Sequence, residues 1–325
     1  MTDILKFRFP GKEIQEKNGQ FERIDGQSNI FGFVVTDFEG KNWLVFRENE
    51  NAKSNHFHKG LEKKIIEVDF DQYLAQFQSL ISKMNNGDLK KCVLSRIKKI
   101  GLINFNLDDY FEKLCAAYPN AFVYLLSSEL IGTWIGATPE VFLKAEGNKG
   151  YTMSLAATKK NDDFHAWGEK ELEEQKIVTE YLKSELENVA AEVQLSNPIS
   201  YNAGPIKHLM TKIYFDFDRR NLGEFIKRIH PTPAVCGFPK KEAFEEIHQI
   251  EVHDRDLYSG ILGWSGDSET ELYVNLRCAR FIDDQMFLFL GGGITKHSDP
   301  HAEWQETENK SRTLMDQVEF NQINR

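Results

Sequence analysis

Apolar residues recur at helical spacing in one stretch above all others. Tyr73, Phe77, Leu80, Ile81 and Met84 fall at i, i+4, i+7, i+8 and i+11, one face of an amphipathic helix, and Asn86-Gly87 supplies its stop. Similar periodicity predicts helices over Asp108–Tyr118, about Trp167–Val193, Leu222–Ile229, Lys240–Glu251 and about Ala302–Phe320. Between them run short β-branched and aromatic segments bounded by turn residues. Asn29–Phe38, Trp43–Arg47, Lys91–Ile100, Ala121–Ser127, Ile131–Gly136, Val141–Ala145 and Tyr151–Ala157 read as strands, as do Ile206–Phe217, Leu257–Trp264, Glu271–Phe281 and Gln285–Leu290. Gly291-Gly292-Gly293 reads as a turn leading through Ser298-Asp299-Pro300 into the last helix.

Strands outnumber helices, short turns join many of them, and no regular βαβ alternation is present. The pattern predicts an α+β fold, with large antiparallel sheets and peripheral helices around a central cleft, rather than a doubly wound parallel sheet. Internal repeats, low-complexity tracts and long linkers are absent, so one domain is expected. Residues 1–68 would form a strand-rich part of it and residues 69–325 the larger region.

Composition narrows the function classes. A hydrophobic fraction of 41% and a charged fraction of 28% suit a folded globular chain. The formal net charge of −10 argues against a nucleic-acid surface, although a local cluster of cations can still bind an anion. Cys92, Cys115, Cys236 and Cys278 form no CxxC pair, so free thiols are expected rather than a zinc or redox site. The first residues lack the apolar run of a signal peptide, and no stretch is long and apolar enough for a membrane helix; a cytoplasmic protein is expected.

Several constellations could carry chemistry. Glu171 and Glu174, and Glu303 and Glu306, each sit three residues apart on predicted helices, with Lys310 one turn beyond the second pair. By spacing alone each pair reads first as a solvated helix face. Converged in one cleft, four carboxylates would suit a hard divalent cation such as Mg²⁺, some binding directly and others through water. Gly291–Ser298 resembles an anion-binding turn, but neither a P-loop nor a dinucleotide fingerprint. Lys91, opening an apolar strand, is a candidate base or a strand-end lysine reaching water. Glu140, after Gly136-Ala137-Thr138-Pro139, is a candidate acid if buried. His230 lies in a proline-rich loop, and Arg277, inside an apolar strand, needs a carboxylate partner or a ligand.

The order of these motifs carries more information than any one of them. KCVLSR, GATPE, SLAATK, ELEEQKIV, HPTPAVCGFP, EVHDRDLYSGILGW, NLRCAR and GGGITKHSDPHAEWQETENK, over about residues 70–320, resemble the motifs of the chorismate-binding enzyme family in sequence order. That family includes isochorismate and salicylate synthases, the large subunit of anthranilate synthase, and aminodeoxychorismate synthase. The resemblance implies a single α+β domain with chorismate in a deep cleft and Mg²⁺ on its ring carboxylate. Glu174 and Glu306 match the direct metal ligands, and Glu171 and Glu303 their water-mediated partners. Glu140 matches the general acid. Arg277 and the backbone of Gly291, Gly292 and Gly293 match the groups that hold the pyruvyl carboxylate. His230 matches a histidine of the cleft, and Ala156 and Thr158 fall in a substrate-binding motif.

Two positions point to a subfamily. Lys91 matches the water-activating lysine of isochorismate and salicylate synthases, where anthranilate synthases carry glutamine. Ala156 stands where aminodeoxychorismate synthases often carry a lysine nucleophile. The resemblance therefore implies isomerisation of chorismate to isochorismate, for menaquinone or siderophore biosynthesis with menaquinone favoured, and no glutamine amidotransferase subunit. Salicylate synthase is the alternative, against which stands Phe289 in place of an arginine; a non-catalytic chorismate-binding protein is the alternative outside enzymes. Ala157 and Gln175 depart from the family pattern, which usually has Gly and His at these positions.

Overall fold

The computed structural model describes residues 3–26, 30–49, 57–60, 65–203, 206–319 and 322–324. Among them are eighteen strands and six α-helices. The N-terminal part forms β1 (Asp3–Arg8), β2 (Gln15–Ile24), β3 (Gly32–Thr36) and β4 (Trp43–Glu48), followed by α1 (Phe70–Asn86). Then come β5 (Lys91–Leu102), α2 (Leu107–Ala117), β6 (Phe122–Ser128), β7 (Gly132–Thr138), β8 (Val141–Glu146), β9 (Lys149–Lys160) and α3 (Glu169–Leu186). The middle holds β10 (Ala191–Leu195), β11 (Ile199–Ala203), β12 (Ile206–Asp216), α4 (Leu222–Ile229), β13 (Gly237–Phe238) and α5 (Lys240–Ile250). The chain closes with β14 (Ile261–Ser265), β15 (Glu269–Val274), β16 (Cys278–Ile282), β17 (Gln285–Thr295), α6 (Pro300–Met315) and β18 (Ile323–Asn324).

The strands pair antiparallel in one continuous path. One half runs β5–β17–β16–β7–β6–β1 and the other β3–β14–β15–β8–β9–β12. The β2 and β4 hairpin strands join the halves, so the sheet folds over on itself. The space between is packed with rings and aliphatic chains, among them Phe7, Phe33, Phe122, Trp134, Leu262 and Tyr273. Helices cover the outer faces. α3 and α4 lie on the second half, α2 and α6 on the first, and α1 and α5 over β5 and the end of β17. α1 buries an apolar stripe of Tyr73, Phe77, Leu80 and Met84, and Asp69 caps it at its start and left-handed Gly87 at its end, whereas the buried side of α6 is mostly polar, with Glu303, Thr307, Ser311 and Thr313 beside Leu314. This is the expected single-domain α+β architecture. No described helix is long and apolar enough to cross a membrane, which says nothing of a β-barrel. All four cysteines are free and buried.

Several expected boundaries move, each for a local reason. The helix expected to reach Val193 stops at Leu186, where the Asn188 side chain closes the last turn on Ser184 O at 2.8 Å, and the chain re-enters the sheet as β10. The single strand expected over Glu271–Phe281 is two: β15 belongs to one half of the sheet and β16 to the other, and Arg277, at φ +48°, turns the chain between them. Leu257–Gly260 is a turn before β14. The Gly291–Gly293 turn is no turn: β17 runs through it to Thr295, pairing Gly291 with Ser95, Gly292 with Leu94 and Gly293 with Val93. The final helix runs Pro300–Met315, and its expected end, Phe320, lies outside the described residues, as does Asn29 at the start of the first expected strand. β1 and β2 lie in the part expected to be strand-rich but were not placed individually, and β10, β11, β13 and β18 were not expected; β2, QEKNGQFERI, is mostly polar because much of it faces water.

Candidate active site

Along β17 the inner face carries Phe287 and Phe289, then Gly291 and Gly293, because side chains alternate with period two. The loss of side chains opens a narrow cleft of about 60 Å³ between the two halves of the sheet. The pairing of β17 with β16 ends at Phe289, where Arg277 leads the neighbouring chain away. From Leu290 onward one backbone edge of β17 is released toward the cleft, and Gly291 O accepts a hydrogen bond there from Lys310 Nζ at 2.9 Å. Backbone groups thus reach the cleft from a strand edge rather than from a turn.

The glycines also admit carboxylates. A Cβ at Gly293 would collide with Glu174 Oε1 and lie 2.9 Å from Lys91 Cε; one at Gly292 would lie 3.2 Å from Glu303 Oε2. Glu174 comes from α3, which Gln175 anchors by donating from Nε2 to Ser154 Oγ (2.8 Å) and Thr211 Oγ1 (3.2 Å). The departure at Gln175 thus keeps α3 tied to β9 and β12. Glu303 and Glu306 come from α6. Trp304 holds that helix in place, its ring against Phe70 and Tyr73 of α1 and under the Arg96 guanidinium, which lies 3.7 Å from the ring centre.

Three of the four predicted glutamates gather here, each with its own lysine. Lys91 Nζ lies 2.9 Å from Glu174 Oε1, Lys310 Nζ 2.7 Å from Glu306 Oε1, and Lys170 Nζ 2.5 Å from Glu303 Oε1. Burial and the nearby Glu306 charge push Glu303 up to about 7, against the pull of Lys170 and Ser298. Burial would push Glu306 up as well, but Lys310 and Lys170 outweigh it and hold its carboxyl down to about 2. Glu171 does not join them. It is turned back on the start of α3, where its Oε2 accepts the Gly168 N–H at 3.0 Å, so the spacing that put it on one face with Glu174 serves helix capping instead.

On the wall formed by the second half of the sheet, Glu140 is 3% exposed. Burial pushes its carboxyl up to about 8, despite the opposing charges of Lys91, Lys310 and Arg277. Arg277 is 6% exposed, and burial lowers it to about 10, leaving it charged at neutral pH. Its described hydrogen-bond partners are neutral: Nη1 donates to Thr313 Oγ1 and Nη2 to His208 Nε2, each at 3.0 Å. Lys91, fully buried, lies at the foot of β5, on the same strand face as the cleft-lining Val93.

The histidine of the cleft is His208, not His230. His230 ends α4 and is buried beside Phe142, with its Nε2 donating to Phe38 O at 3.0 Å; it does not line the cleft. His208 comes from β12. Its Nδ1 donates to Ala157 O at 2.7 Å, so Nε2 is left to accept from Arg277, and burial lowers its pKa to about 3. A histidine set among apolar positions of a strand, in Ile206–Met210, was the available signal. Opposite His208 the β9–β12 register slips between Lys207 and Leu209, and Ala157 takes φ +60°. This is a bulge of the kind that normally places glycine in the left-handed region. It accounts for the expected Gly at the Ala157 position and brings Ala156, Ala157 and Thr158 onto the cleft wall.

The profile of the chorismate-binding enzymes matches residues 34–319. The chain belongs to the chorismate-binding enzyme family. Isochorismate synthase EntC of Escherichia coli K12 is 28% identical over 298 residues, covering 85% of this chain and 75% of its own. The vibriobactin-specific isochorismate synthase of Vibrio cholerae is 26% identical, covering 80% and 70%. The menaquinone-specific isochorismate synthase MenF of E. coli shares the fold, with a TM-score of 0.81 at 17% identity over 98% of this chain and 89% of that one. A larger cavity of about 640 Å³ lies away from this family cleft, around Lys12, Lys144, Tyr151 and Glu271. Its buried carboxylate, Glu271, is already bridged by Lys12 and Lys144, both at 2.9 Å.

Among the described residues no group of three or more metal-binding side chains is arranged around one point. The donor set nevertheless fits a hard cation. Glu174, Glu303 and Glu306 offer only oxygen, and Glu303 Oε2 is buried without a hydrogen-bond partner among the described residues.

Proposed function

We propose that this protein is an isochorismate synthase, isomerising chorismate to isochorismate. The observation that carries the reading is the pairing of a buried lysine on one half of the sheet, Lys91, with a buried carboxyl kept protonated near neutral pH on the other, Glu140. A base buried against the cleft-lining Gly293 and an acid on the opposite wall suit addition of water at one ring carbon and loss of a hydroxyl at another.

Lys91, once free of Glu174 and unprotonated, takes a proton from the water that adds to C2. Both ring double bonds shift, from C1=C2 to C1=C6 and from C5=C6 to C4=C5, and the C4 hydroxyl leaves as water with the proton supplied by Glu140. One water enters and one departs, so substrate and product are isomers. Arg277, whose partners are neutral, has charge available for the pyruvyl carboxylate, and Lys310 and the free edge of β17 lie beside it in the cleft lining. His208 receives a hydrogen bond from Arg277 and so fixes the direction of its guanidinium. Mg²⁺, held by Glu174 and Glu306 with Glu303 behind them, would neutralise the ring carboxylate and orient it. The three lysines that now rest on these carboxylates must swing aside, since a cleft of about 60 Å³ is far below the roughly 300–1,000 Å³ of small-molecule sites. All these groups lie within residues 69–325, which we assign as the catalytic region, with residues 1–68 completing the sheet.

The test is incubation of the purified protein with chorismate, with Mg²⁺ and with EDTA, following isochorismate by chromatography and salicylate by fluorescence. Isochorismate formed only with the metal is the expected result. Salicylate as the main product would reassign the protein to the pyruvate-eliminating branch, and no chorismate consumption would sink the enzymatic reading. Within the metal set, Glu306→Ala is expected to weaken Mg²⁺ binding, measured by calorimetry, more than Glu303→Ala does.

A further inference from the structure

The EVHDRDLYSG stretch places a charged pair, Glu251 and Arg255, in the interior without giving either a place in the cleft lining. Arg255 is 5% exposed. Its Nε donates to Glu251 Oε2 at 2.8 Å and its Nη2 to Glu251 Oε1 at 2.6 Å. The same guanidinium reaches two backbone carbonyls, Val235 O through Nη1 and Val93 O through Nη2, both at 2.7 Å. Glu251 Oε1 also accepts the Ser95 N–H at 2.7 Å. The Phe38 ring lies under the guanidinium, 4.4 Å from its carbon.

Both carbonyls belong to residues that line the cleft, Val93 on β5 and Val235 in the segment after α4. Those two segments also meet directly, Val93 N donating to Cys236 O at 2.7 Å. Lys91 precedes Val93 by two residues on the same face of β5, so the position of Val93 sets where the Lys91 side chain starts. Regular sheet pairing does not need a buried arginine to hold two carbonyls and a carboxylate to hold a third backbone group. Burying an ion pair is costly, and an apolar pair of similar volume often serves stability as well. The planar fork of arginine does what an apolar pair cannot, fixing two carbonyls at a set distance.

We propose that Glu251 and Arg255 are positioning residues, a clamp that sets the cleft wall of β5 and the Val235 segment and thereby aims Lys91. The catalytic consequence rests on the isochorismate synthase reading; the clamp itself does not. Misplacing a catalytic group by about 1 Å costs on the order of 10²-fold in rate. The double variant Glu251→Leu/Arg255→Met, which replaces the ion pair by an apolar pair and leaves Val93 O, Val235 O and the Ser95 N–H without these partners, is therefore expected to lose roughly 10²-fold in kcat measured well below its melting temperature, with KM for chorismate within about twofold and a lowered melting temperature. Arg255→Lys, which keeps the charge but loses the fork, is expected to behave in the same direction.

Amide hydrogen exchange supplies a readout independent of turnover. In the double variant, peptides covering 91–96 and 232–237 are expected to lose protection while the rest of β5 and β17 keep it. Unchanged exchange in those peptides would overturn the clamp, whether or not the protein turns over chorismate. Full kcat in the double variant, or a fall in kcat that only tracks a fall in melting temperature, would overturn its role in aiming Lys91. A wild-type protein that leaves chorismate untouched would remove the functional reading, and the exchange measurement would still decide the clamp.

Discussion

One face of β17 passes through two different interiors. At Phe287 and Phe289 it joins a packed layer of rings, in which Phe289 lies 5.0 Å from Trp134 and 5.8 Å from Tyr258 between ring centres. Further along the same layer Phe122 stacks on Phe9 at 4.9 Å and Tyr273 at 4.7 Å. Two residues beyond Phe289 the side chains vanish, and Lys91, Glu174, Glu140 and Arg277 take the space. The aromatic end gains stability by filling volume. The charged end gives up packing to hold polar groups that only a ligand or cation can fully satisfy, and this asymmetry marks where function sits.

The largest effect expected is at the charged end. Glu140→Gln should lower kcat by roughly 10²–10⁴-fold with the fold intact, as should Lys91→Ala. Near-normal turnover in either would break the comparison, because the charged interior would then be structural. The pH dependence sharpens it. Glu140 must be protonated to act, so kcat should fall as pH rises through about 8. Its folded pKa lies above the ordinary 4.5, so its contribution to stability is fully present below about 4.5 and is lost as pH rises toward about 8. Melts across that window should show the decline in the wild type and a flatter profile in Glu140→Gln.

The aromatic end should respond in the opposite way. Phe122→Ala removes a fully buried ring and is expected to cost about 3–5 kcal/mol of unfolding free energy, read by denaturant titration, while kcat in the cold stays near wild type. Gly293→Ala tests the boundary between the two regions. Its Cβ would strike Glu174, so about 1–3 kcal/mol of overpacking is expected together with weaker Mg²⁺ binding. A fully active, stable alanine variant there would show that the cleft has slack. The smallest effect is expected from Ala157→Gly. Relief of the left-handed strain at φ +60° should raise stability by up to about 1 kcal/mol, seen as a small rise in melting temperature.

Most of the fold and part of the site were legible before the structure. α4 spans Leu222–Ile229, the range its periodicity predicts, because its apolar stripe is strong and local. Lys91, Glu140 and Arg277 could be singled out because charged residues beside turns or within apolar segments are conspicuous, whereas Glu174, Glu303 and Glu306 read by spacing as solvated helix faces and stood out only through the family resemblance. The choice between His208 and His230 was not legible, since both lie in apolar surroundings and only their packing differs. Nor was the conduct of the glycine run. Glycine permits a turn and equally a bare strand, and pairing with β5 decides for the strand.

The amino-acid sequence by itself determined most of the helices and many of the strands, the α+β class and which residues carry charge into apolar segments, because these depend on local periodicity and residue chemistry. Only the tertiary structure decided that β15 and β16 belong to different halves of the sheet, that Lys170 turns in to Glu303, and that Glu251 and Arg255 grip the wall behind Lys91. Those outcomes depend on contacts between residues far apart in the chain, for which local spacing holds no record.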